Sequence, residues 1–258
     1  MGSQAVAVVT GGGRAIGRQI CLALARSGHD VVVAGPLLEE IEAVAAEVRA
    51  LDRIALPVVM DVTREEQIQE MTARAIRELG SIHLLVNNAG IIGPTAPVTA
   101  VARADWDEVL AVNLTGPYLC ARAVLPGMIA RRAGKIVNIS SIAGQIGYAL
   151  RSPYCASKWG LIGLTLTLAK EVGPHNIQVN AVCPGPVDGT RMQKIIEVRA
   201  AEQGRTVADL QQEYLDTTLL KRFVQPEDVA AMVAFLASPA ADSITGQTLG
   251  VTAGYGLG

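Results

Sequence analysis

Thr10-Gly11-Gly12-Gly13-Arg14-Ala15-Ile16-Gly17 links the first predicted strand of this chain to its first predicted helix. A β-branched run at 5–9 precedes it, and an Ala/Leu-rich stretch of helical period at 16–27 follows. Small residues in such a turn let the backbone approach a pyrophosphate, whose charge then faces the positive end of the helix. Glycine-rich turns also follow strands for purely structural reasons, so this motif alone leaves a nucleotide-binding function open.

The rest of the chain repeats the same order of strand and helix. Short β-branched runs predict strands at 5–9, 31–34, 54–60, 82–86, 135–139, 177–182 and 248–251. Longer Ala/Leu-rich segments predict helices at 16–27, 38–50, 64–79, 105–131, 154–172 and 226–237. This alternation predicts an α/β fold: a Rossmann-type, doubly wound parallel sheet of about seven strands with helices on both faces.

The chain shows no internal repeat and no low-complexity linker, which predicts a single domain over residues 1–258. Residues 186–225 depart from the alternation as a charge-balanced, helix-prone insertion before the last helix. An insertion at this place in such a fold commonly covers the ligand crevice, so we expect a helical substrate lid there. The lid would offer Arg191, Met192, Ile195 and Ile196 to a substrate.

Composition excludes several classes of function. The 258 residues carry 22 Lys+Arg and 24 Asp+Glu, a net charge of −2, which offers no basic face to nucleic acid or to an anionic membrane. No targeting leader and no apolar run near the roughly 18 residues of a membrane helix is apparent. Four widely spaced cysteines without a CxxC pair, and only three histidines, predict reduced thiols, a cytoplasmic location and no metal site.

A second motif, Tyr154-Cys155-Ala156-Ser157-Lys158, lies early in a predicted helix. The i, i+4 spacing puts Tyr154 and Lys158 on one face of that helix. There the ammonium group can stabilise a tyrosinate and bring a phenol pKa of about 10 toward neutral pH. A tyrosine and a lysine four residues apart also occur on ordinary solvated helices, so the pair by itself leaves both interpretations open.

The two motifs together resemble the short-chain dehydrogenase/reductase family, and the resemblance extends over essentially the whole chain. Further family motifs follow in order: Asp61-Val62, Asn87-Asn88-Ala89-Gly90, Val112-Asn113, Ile139-Ser140-Ser141 and Asn180-Ala181-Val182-Cys183-Pro184-Gly185. The resemblance implies an NAD(P)-dependent oxidoreductase. Such an enzyme, a carbonyl reductase, transfers hydride reversibly between a nicotinamide and a small-molecule ketone or secondary alcohol.

The catalytic tetrad of the family falls on Asn113, Ser141, Tyr154 and Lys158. Ser141 is chosen over its neighbour Ser140 because it lies thirteen residues before Tyr154, as the catalytic serine of the family does. By resemblance, Tyr154 exchanges a proton with the substrate oxygen and Ser141 hydrogen-bonds that oxygen. Lys158 would lower the pKa of Tyr154 and bind the nicotinamide ribose, and Asn113 would hold a water that links Lys158 to solvent.

The resemblance also implies a cofactor site. Its residues would be Gly11, Arg14, Ile16, Gly17, Asp61, Val62, Asn88, Gly90, Tyr154, Lys158, Pro184, Gly185 and Val187. Asp61 would lie near the adenine, Asn88 and Gly90 along the adenosine, and Val187 near the carboxamide. A strand-end cap at Asp61 and a turn stabilised by the asparagine pair are the structural alternatives.

Three departures from the family pattern bear on the cofactor. Ala15 occupies the position of the usual second glycine, and Gly189 stands where a threonine often contacts the nicotinamide amide, with Thr190 next. Gly35-Pro36, at the end of the second predicted strand, provides neither the acid that selects NAD nor the base that selects NADP. Because Arg14 resembles a basic residue of NADP-dependent members, we predict NADP(H), with NAD(H) as the alternative.

The segment from Gly144 to Arg151 follows the catalytic serine and lines the substrate pocket in this family. Its expected substrate contacts, together with the catalytic groups, are Ser141, Gln145, Tyr148 and Tyr154. Arg151 has two interpretations: a partner for an anionic substrate group, or a side chain that faces solvent or a neighbouring subunit.

Two further expectations concern the assembly of the protein and the class of its function. The helices at 105–131 and 154–172 are apolar over more than one face, and family members commonly pair them into a homotetramer, which we predict here. A lyase or epimerase of the same fold, and a non-catalytic nucleotide-binding scaffold, are the alternatives to an oxidoreductase.

Overall fold

A parallel sheet forms the centre of the structure, a computed structural model that describes residues 5–256. The described strands are β1 Val6–Thr10, β2 Asp30–Gly35, β3 Ala55–Val59, β4 Ile82–Asn87, β5 Gly134–Ile139, β6 Ile177–Pro184 and β7 Thr248–Val251. All pairs are parallel, in the order β3-β2-β1-β4-β5-β6-β7. The order reverses between β1 and β4, and in such sheets ligands bind at the carboxyl ends beside that reversal.

The helices connect successive strands. They are α1 Ala15–Arg26, α2 Leu38–Arg49, α3 Glu65–Leu79, α4 Arg103–Leu110, α5 Gly116–Arg131, α6 Ser152–Val172, α7 Thr190–Gln203, α8 Val207–Asp216 and α9 Pro226–Ala237. The helix predicted at 105–131 is divided into α4 and α5 by a turn of π-helix at Ala111–Thr115. The termini of the predicted domain, residues 1–4 and 257–258, lie outside the described residues.

Both faces of the sheet are covered, which confirms the predicted doubly wound architecture. Along β1, Ala7 and Val9 belong to a buried cluster with α1, α2 and α9, whereas Val6 and Val8 belong to a second cluster with α3, α5 and α6. Successive side chains of a strand point to opposite faces, so a strand buried on both sides must be apolar throughout. This is why the strands are continuous apolar runs rather than alternating ones.

The helical run Arg103–Arg131 is, within the described residues, the one segment whose length and composition would suit a membrane span. Half of its apolar window is buried inside the protein. Cys120, Val124 and Met128 on α5 pack into the cluster on the second face of the sheet. Its apolar character therefore reflects, at least over that half, packing against the sheet.

Residues 186–225 contain α7 and α8, and the two ends of this segment lie side by side. Val187 and Val224 form a parallel bridge, and Asp188 N donates to Val224 O at 2.8 Å. Met192 and Ile196, which we expected to face a substrate, are buried in a cluster with Ala200, Leu210 and Phe223. These two side chains therefore hold α7 to α8, and the expectation that both offer surface to a substrate is not met.

Candidate active site

The glycine-rich turn after β1 is held against the end of β4. The Asn88 amide nitrogen donates to Thr10 O and Gly11 O, both at 3.0 Å, and Thr10 Oγ1 accepts from the backbone nitrogens of Asn88 and Ala89. Gly11 has φ +63°, and a Cβ there would lie 2.9 Å from Ala89 Cα. A Cβ at Gly17 would lie 2.0 Å from Gly11 O. Only glycine fits these two positions, and Asn88 plays the turn-stabilising role.

The start of α1 beside this turn fits the phosphates of a dinucleotide. No side chain caps the helix, and its first turn contains no acidic residue. An uncapped helix start leaves backbone N–H groups without partners and carries partial positive charge, which suits an anionic group. Gly11 and Gly17 let the turn pack closely against β4 and against itself next to these groups.

Ala15, the first residue of α1, adopts φ +46°. A left-handed conformation costs a residue with a Cβ roughly 1–2 kcal/mol, whereas glycine adopts it freely. The family pattern has its second glycine here, so the structure shows the physical basis of that preference. In this chain Ala15 adopts the left-handed backbone conformation, and its Cβ makes that conformation strained.

Arg14, the residue predicted to select NADP, forms an ion pair with Glu40 at 3.6 Å. Its side chain is 71% exposed, and Glu40 lies in the first turn of α2. The guanidinium of Arg14 therefore has a carboxylate beside it as well as open access from solvent. Gly35 ends β2 nearby, where a Cβ would lie 3.0 Å from Ile41 Cγ2.

Tyr154 and Lys158 come together on α6, as their spacing predicts. Lys158 Nζ lies 5.8 Å from the centroid of the Tyr154 ring and donates to Ile139 O at 2.9 Å. Lys158 is only 4% exposed. Burial, with a smaller contribution from the charge of Arg191, lowers the pKa of Lys158 to about 8. This lysine can therefore gain or lose its proton close to neutral pH.

The pKa of Tyr154 is raised above its ordinary value, opposite to the direction expected from the spacing. Burial is the largest cause; a hydrogen bond with Ser141 and the charges of Arg191 and Arg151 act in the other direction. The hydroxyl thus keeps its proton at neutral pH. A neutral phenol held by Ser141 is suited to donating a proton to a bound oxygen.

The two adjacent serines have different partners. Ser140 is buried, and its Oγ donates to Lys158 O at 3.0 Å. Ser141 is partly exposed; its Oγ accepts from Ala143 N at 3.1 Å and hydrogen-bonds Tyr154. Of the two serines, Ser141 is thus the one that contacts the Tyr154 hydroxyl, whereas Ser140 is tied to the backbone of α6.

Asn113 lies in the π-helical turn and is fully buried. Its Oδ1 accepts from Ile91 N at 2.9 Å, and its Nδ2 donates to Ile91 O at 2.8 Å and to Ser157 Oγ at 3.0 Å. Ser157 Oγ in turn donates to Tyr154 O at 2.7 Å. Both amide hydrogens are used within the protein, so this side chain braces the segment after β4 against α6. Sequence reasoning missed Ile91 and Ser157, because neither carries a motif signal.

Gly90 lies close to both Asn113 and Lys158. A Cβ at this position would lie 3.2 Å from Asn113 Oδ1 and 3.5 Å from Lys158 Nζ. Its carbonyl accepts from Arg191 Nη2 at 3.1 Å, which ties the start of α7 to the segment after β4. The carboxyl ends of β4 and β5 therefore meet α6 and α7 at one place.

The predicted cofactor residues Asp61, Val62 and Ile16 differ in how far they are exposed. Asp61 is exposed, and its Oδ1 accepts from Thr63 N and Thr63 Oγ1, which is the strand-end cap considered above. Val62 is buried against Gly116, whereas Ile16 is partly buried in the core cluster of α1.

The chain after β6 contributes the other cofactor positions. Gly185 follows Pro184 and lets the backbone of Thr252 approach closely, since a Cβ at residue 185 would lie 2.8 Å from Thr252 Cα. Val187, as described, pairs with Val224. Gly189 has φ +137°, which disfavours a threonine at this position; Thr190 is exposed at the start of α7.

The expected substrate residues Gln145 and Tyr148 lie in the segment before α6. Gln145 is exposed, and the ring of Tyr148 stacks on that of Tyr255 at 6.3 Å. Burial and a hydrogen bond with Tyr255 raise the pKa of Tyr148. Arg199 Cζ lies over the Tyr214 ring, 5.4 Å from its centroid. Sequence reasoning missed Tyr255, Tyr214 and Arg199, since only the folded chain brings them to this place.

A metal centre finds no support in the part of the chain that is described. Between residues 5 and 256 there is no group of three or more histidine, cysteine, aspartate or glutamate side chains placed to hold an ion. The four cysteines are free thiols, and three of them are buried.

Comparison with known proteins agrees with this geometry. The short chain dehydrogenase family model matches residues 5–200. A 3-oxoacyl-[acyl-carrier-protein] reductase of Staphylococcus epidermidis is 37% identical over 250 residues, covering 96% of this chain and 97% of the relative. The fold is similar to NAD+-bound xylitol dehydrogenase, with TM-score 0.94, 32% identity and 97% and 98% coverage of the two chains. It is also similar to an actinorhodin polyketide ketoreductase with NADPH, with TM-score 0.94, 34% identity and 98% and 97% coverage. The chain therefore belongs to the short-chain dehydrogenase/reductase family of NAD(P)-dependent oxidoreductases.

Proposed function

We propose that this protein is an NADP(H)-dependent ketoreductase that interconverts a small-molecule ketone and its secondary alcohol, with Tyr154 as the general acid/base. One observation carries the proposal. Tyr154 is hydrogen-bonded to Ser141 and has Lys158 Nζ over its ring, at the same carboxyl edge of the sheet as the uncapped start of α1 and the glycine-rich turn. A proton donor thus lies at the edge of the sheet where a dinucleotide fits.

The chain supplies proton transfer, orientation and charge. The nicotinamide, when bound, supplies or accepts the hydride. Tyr154 holds its proton at neutral pH and would donate it to the carbonyl oxygen during reduction, and take it back during oxidation. Ser141 would hydrogen-bond the same oxygen as its charge develops. Lys158, with its pKa lowered to about 8, would hold the ribose hydroxyls and exchange a proton with Tyr154.

The preference for NADP(H) rests on Arg14 and on the lack of an acid at Gly35-Pro36. A carboxylate at that strand end would repel a 2′-phosphate, and its absence removes the repulsion. Glu40 acts against the preference because it already neutralises Arg14. NAD(H) is the alternative, and parallel titrations with the two reduced cofactors distinguish them.

Three further features belong to the proposal. Residues 186–225 would act as a substrate lid, with Arg191 at its base bound to Gly90 O. Exposed apolar side chains on α5 and α6, Tyr118, Trp159 and Leu166, would be covered in a homotetramer. A cytoplasmic location fits the four free thiols. Light scattering of the purified protein tests the assembly, and a monomeric mass would contradict it.

Nicotinamide absorbance with NADPH and NADH, against a panel of ketones, sugars, hydroxy acids and acyl thioesters, tests the function. Tyr154→Phe protein is the matched blank, because it removes one oxygen and keeps the ring. We expect turnover that falls at least 1000-fold in the variant while NADPH binding stays within threefold. Bound cofactor without turnover in either protein would favour a lyase, an epimerase or a non-catalytic scaffold.

A further inference from the structure

The segment Ala89-Gly90, directly after β4, connects the two ends of the proposed cofactor cleft. Its first residue lies against the glycine-rich turn, since a Cβ at Gly11 would lie 2.9 Å from Ala89 Cα. Its second residue lies against the catalytic end, since a Cβ at Gly90 would lie 3.5 Å from Lys158 Nζ. A dinucleotide with its phosphates at the start of α1 and its nicotinamide beside Tyr154 would therefore run along this segment.

The side chain of Arg191 reaches this segment from the lid. Arg191 is the second residue of α7, and its Nη2 donates to Gly90 O at 3.1 Å. Removal from water is the largest influence on the pKa of Lys158 and on that of Tyr154, and the charge of Arg191 acts to lower both. This agrees with the hydrogen bond in placing the guanidinium at the catalytic end of the cleft.

The guanidinium of Arg191 has no anionic partner among residues 5–256. The ion pairs of these residues involve other arginines, and Lys158 takes part in none of them. Arg191 is exposed, and its contact with Gly90 O leaves its other N–H donors available. A guanidinium that binds a neutral carbonyl keeps its full charge and can hold phosphate oxygens through charge-assisted hydrogen bonds.

The strand order decides which phosphate of a cofactor lies within reach of Arg191. A 2′-phosphate would lie at the end of β2, next to Gly35 and Arg14. Because β2 and β4 lie on opposite sides of β1, Gly90 is on the far side of the glycine-rich turn from Gly35. The diphosphate faces the start of α1, between these two positions. Arg191 is therefore closer to the diphosphate than to a 2′-phosphate.

We propose that Arg191 binds the diphosphate of the nicotinamide cofactor and thereby fastens the lid over the bound dinucleotide. This inference rests on the proposed cofactor-dependent function and assigns a residue of the lid to it. The N–H groups of Arg191 that Gly90 O does not use donate to the diphosphate oxygens. The diphosphate then has the start of α1 on one side and the start of α7 on the other, and the charge of Arg191 is neutralised only when the cofactor is bound.

Fluorescence titration with NADPH and NADH, in the absence of any ketone, tests this assignment. Arg191→Gln removes the charge and keeps an amide donor. We expect it to raise the Kd of both cofactors at least tenfold, because both carry the diphosphate. Arg77→Gln is the control, since Arg77 is an exposed arginine on α3 that pairs with Glu70, and its Kd values should stay within twofold of the wild type. Unchanged Kd values in Arg191→Gln, or a loss confined to NADPH, would overturn the proposal.

A lid loosened by the loss of the bond to Gly90 O would also weaken cofactor binding, and two measurements separate that effect from the charge. Arg191→Lys restores the charge, so we expect it to bind both cofactors at least threefold more tightly than Arg191→Gln. The ratio of Kd between Arg191→Gln and the wild type should fall as KCl rises from about 0.05 to about 0.5 M, because salt screens exposed charges. Equal Kd values for the two variants, or a ratio that salt leaves unchanged, would contradict the diphosphate contact and overturn the proposal.

Calorimetry with ADP-ribose identifies the part of the cofactor that Arg191 binds. This molecule carries the diphosphate and lacks the nicotinamide, so we expect Arg191→Gln to weaken its binding at least tenfold as well. Equal affinity of the wild type and the variant for ADP-ribose would overturn the proposal. Because none of these titrations contains a ketone, the assignment holds even if the protein reduces none, in which case only the ketoreductase function fails. Turnover of ketones with Kd values that Arg191→Gln leaves unchanged would overturn the assignment and keep the ketoreductase.

Discussion

The ion pair between Arg14 and Glu40, 3.6 Å long, joins the glycine-rich turn to the first turn of α2. Any 2′-phosphate that approaches Arg14 meets a guanidinium already shared with a carboxylate. Both side chains are accessible to solvent, so the pair contributes only about 0.2–1 kcal/mol. It can nevertheless shift the balance between two cofactors that differ by one phosphate.

Removing the carboxylate should strengthen NADPH binding. We expect Glu40→Gln to lower the Kd of NADPH about three- to fivefold, because it frees Arg14 and removes a repulsive charge. The Kd of NADH should stay within twofold. Fluorescence titration with both cofactors measures this, and Arg14→Gln is the reciprocal variant, with a weaker NADPH complex. Equal effects of Glu40→Gln on the two cofactors would show that this pair does not face the 2′ position.

Ala15→Gly should stabilise the protein or leave its stability unchanged. Glycine relieves the left-handed strain of roughly 1–2 kcal/mol and gains backbone entropy in the unfolded chain worth about 0.4–1 kcal/mol in the other direction. We expect a net increase in the free energy of unfolding of between zero and about 1.6 kcal/mol, measured by urea denaturation. Ala23→Gly, inside the same helix, is the control and should destabilise the protein. A loss of stability in both variants would contradict the strain at residue 15.

The buried Lys158 should make stability depend on pH. Its pKa falls from 10.5 to about 8 on folding, so between these values the unfolded chain binds more protons and stability rises with pH. Below pH 8 the buried charge costs up to about 3 kcal/mol. We expect the stability of the cofactor-free wild type relative to Lys158→Met to increase from pH 8 to pH 10. Comparing the two proteins cancels the titration of other groups, and a flat difference would show that Lys158 is not desolvated.

Asn113 should matter for stability as well as for catalysis. Asn113→Ala removes three hydrogen bonds and leaves both backbone groups of Ile91 without their partner. Each group left unsatisfied costs roughly 1–3 kcal/mol, so we expect a loss of about 2–6 kcal/mol in the free energy of unfolding. Ser157→Ala, which removes only one of those bonds to Asn113, should cost less. A loss of activity without any loss of stability would argue against the bracing role of Asn113.

Local patterns were sufficient for most of the fold. The period of the apolar residues and the turn residues between them predicted every strand of the sheet to within a few residues, since these signals depend on neighbours along the chain. The face shared by Tyr154 and Lys158 follows from helical spacing in the same way. The division between α4 and α5 at Asn113 was missed, because a π-helical turn leaves no periodic signal of its own.

The site depends on contacts that no local pattern encodes. Spacing along a helix predicted a lowered pKa for Tyr154, but its partial removal from water in the folded protein raises that pKa. Arg191 and Gly90 are 101 positions apart in the sequence, and they meet only because the start of α7 packs against the segment after β4. The order of strands and helices, the glycine-rich turn and the candidate site residues could thus be predicted from the chain alone. The protonation state and the contacts of each site residue could not be predicted in this way. Desolvation and through-space electrostatics depend on distances that exist only once distant segments pack together.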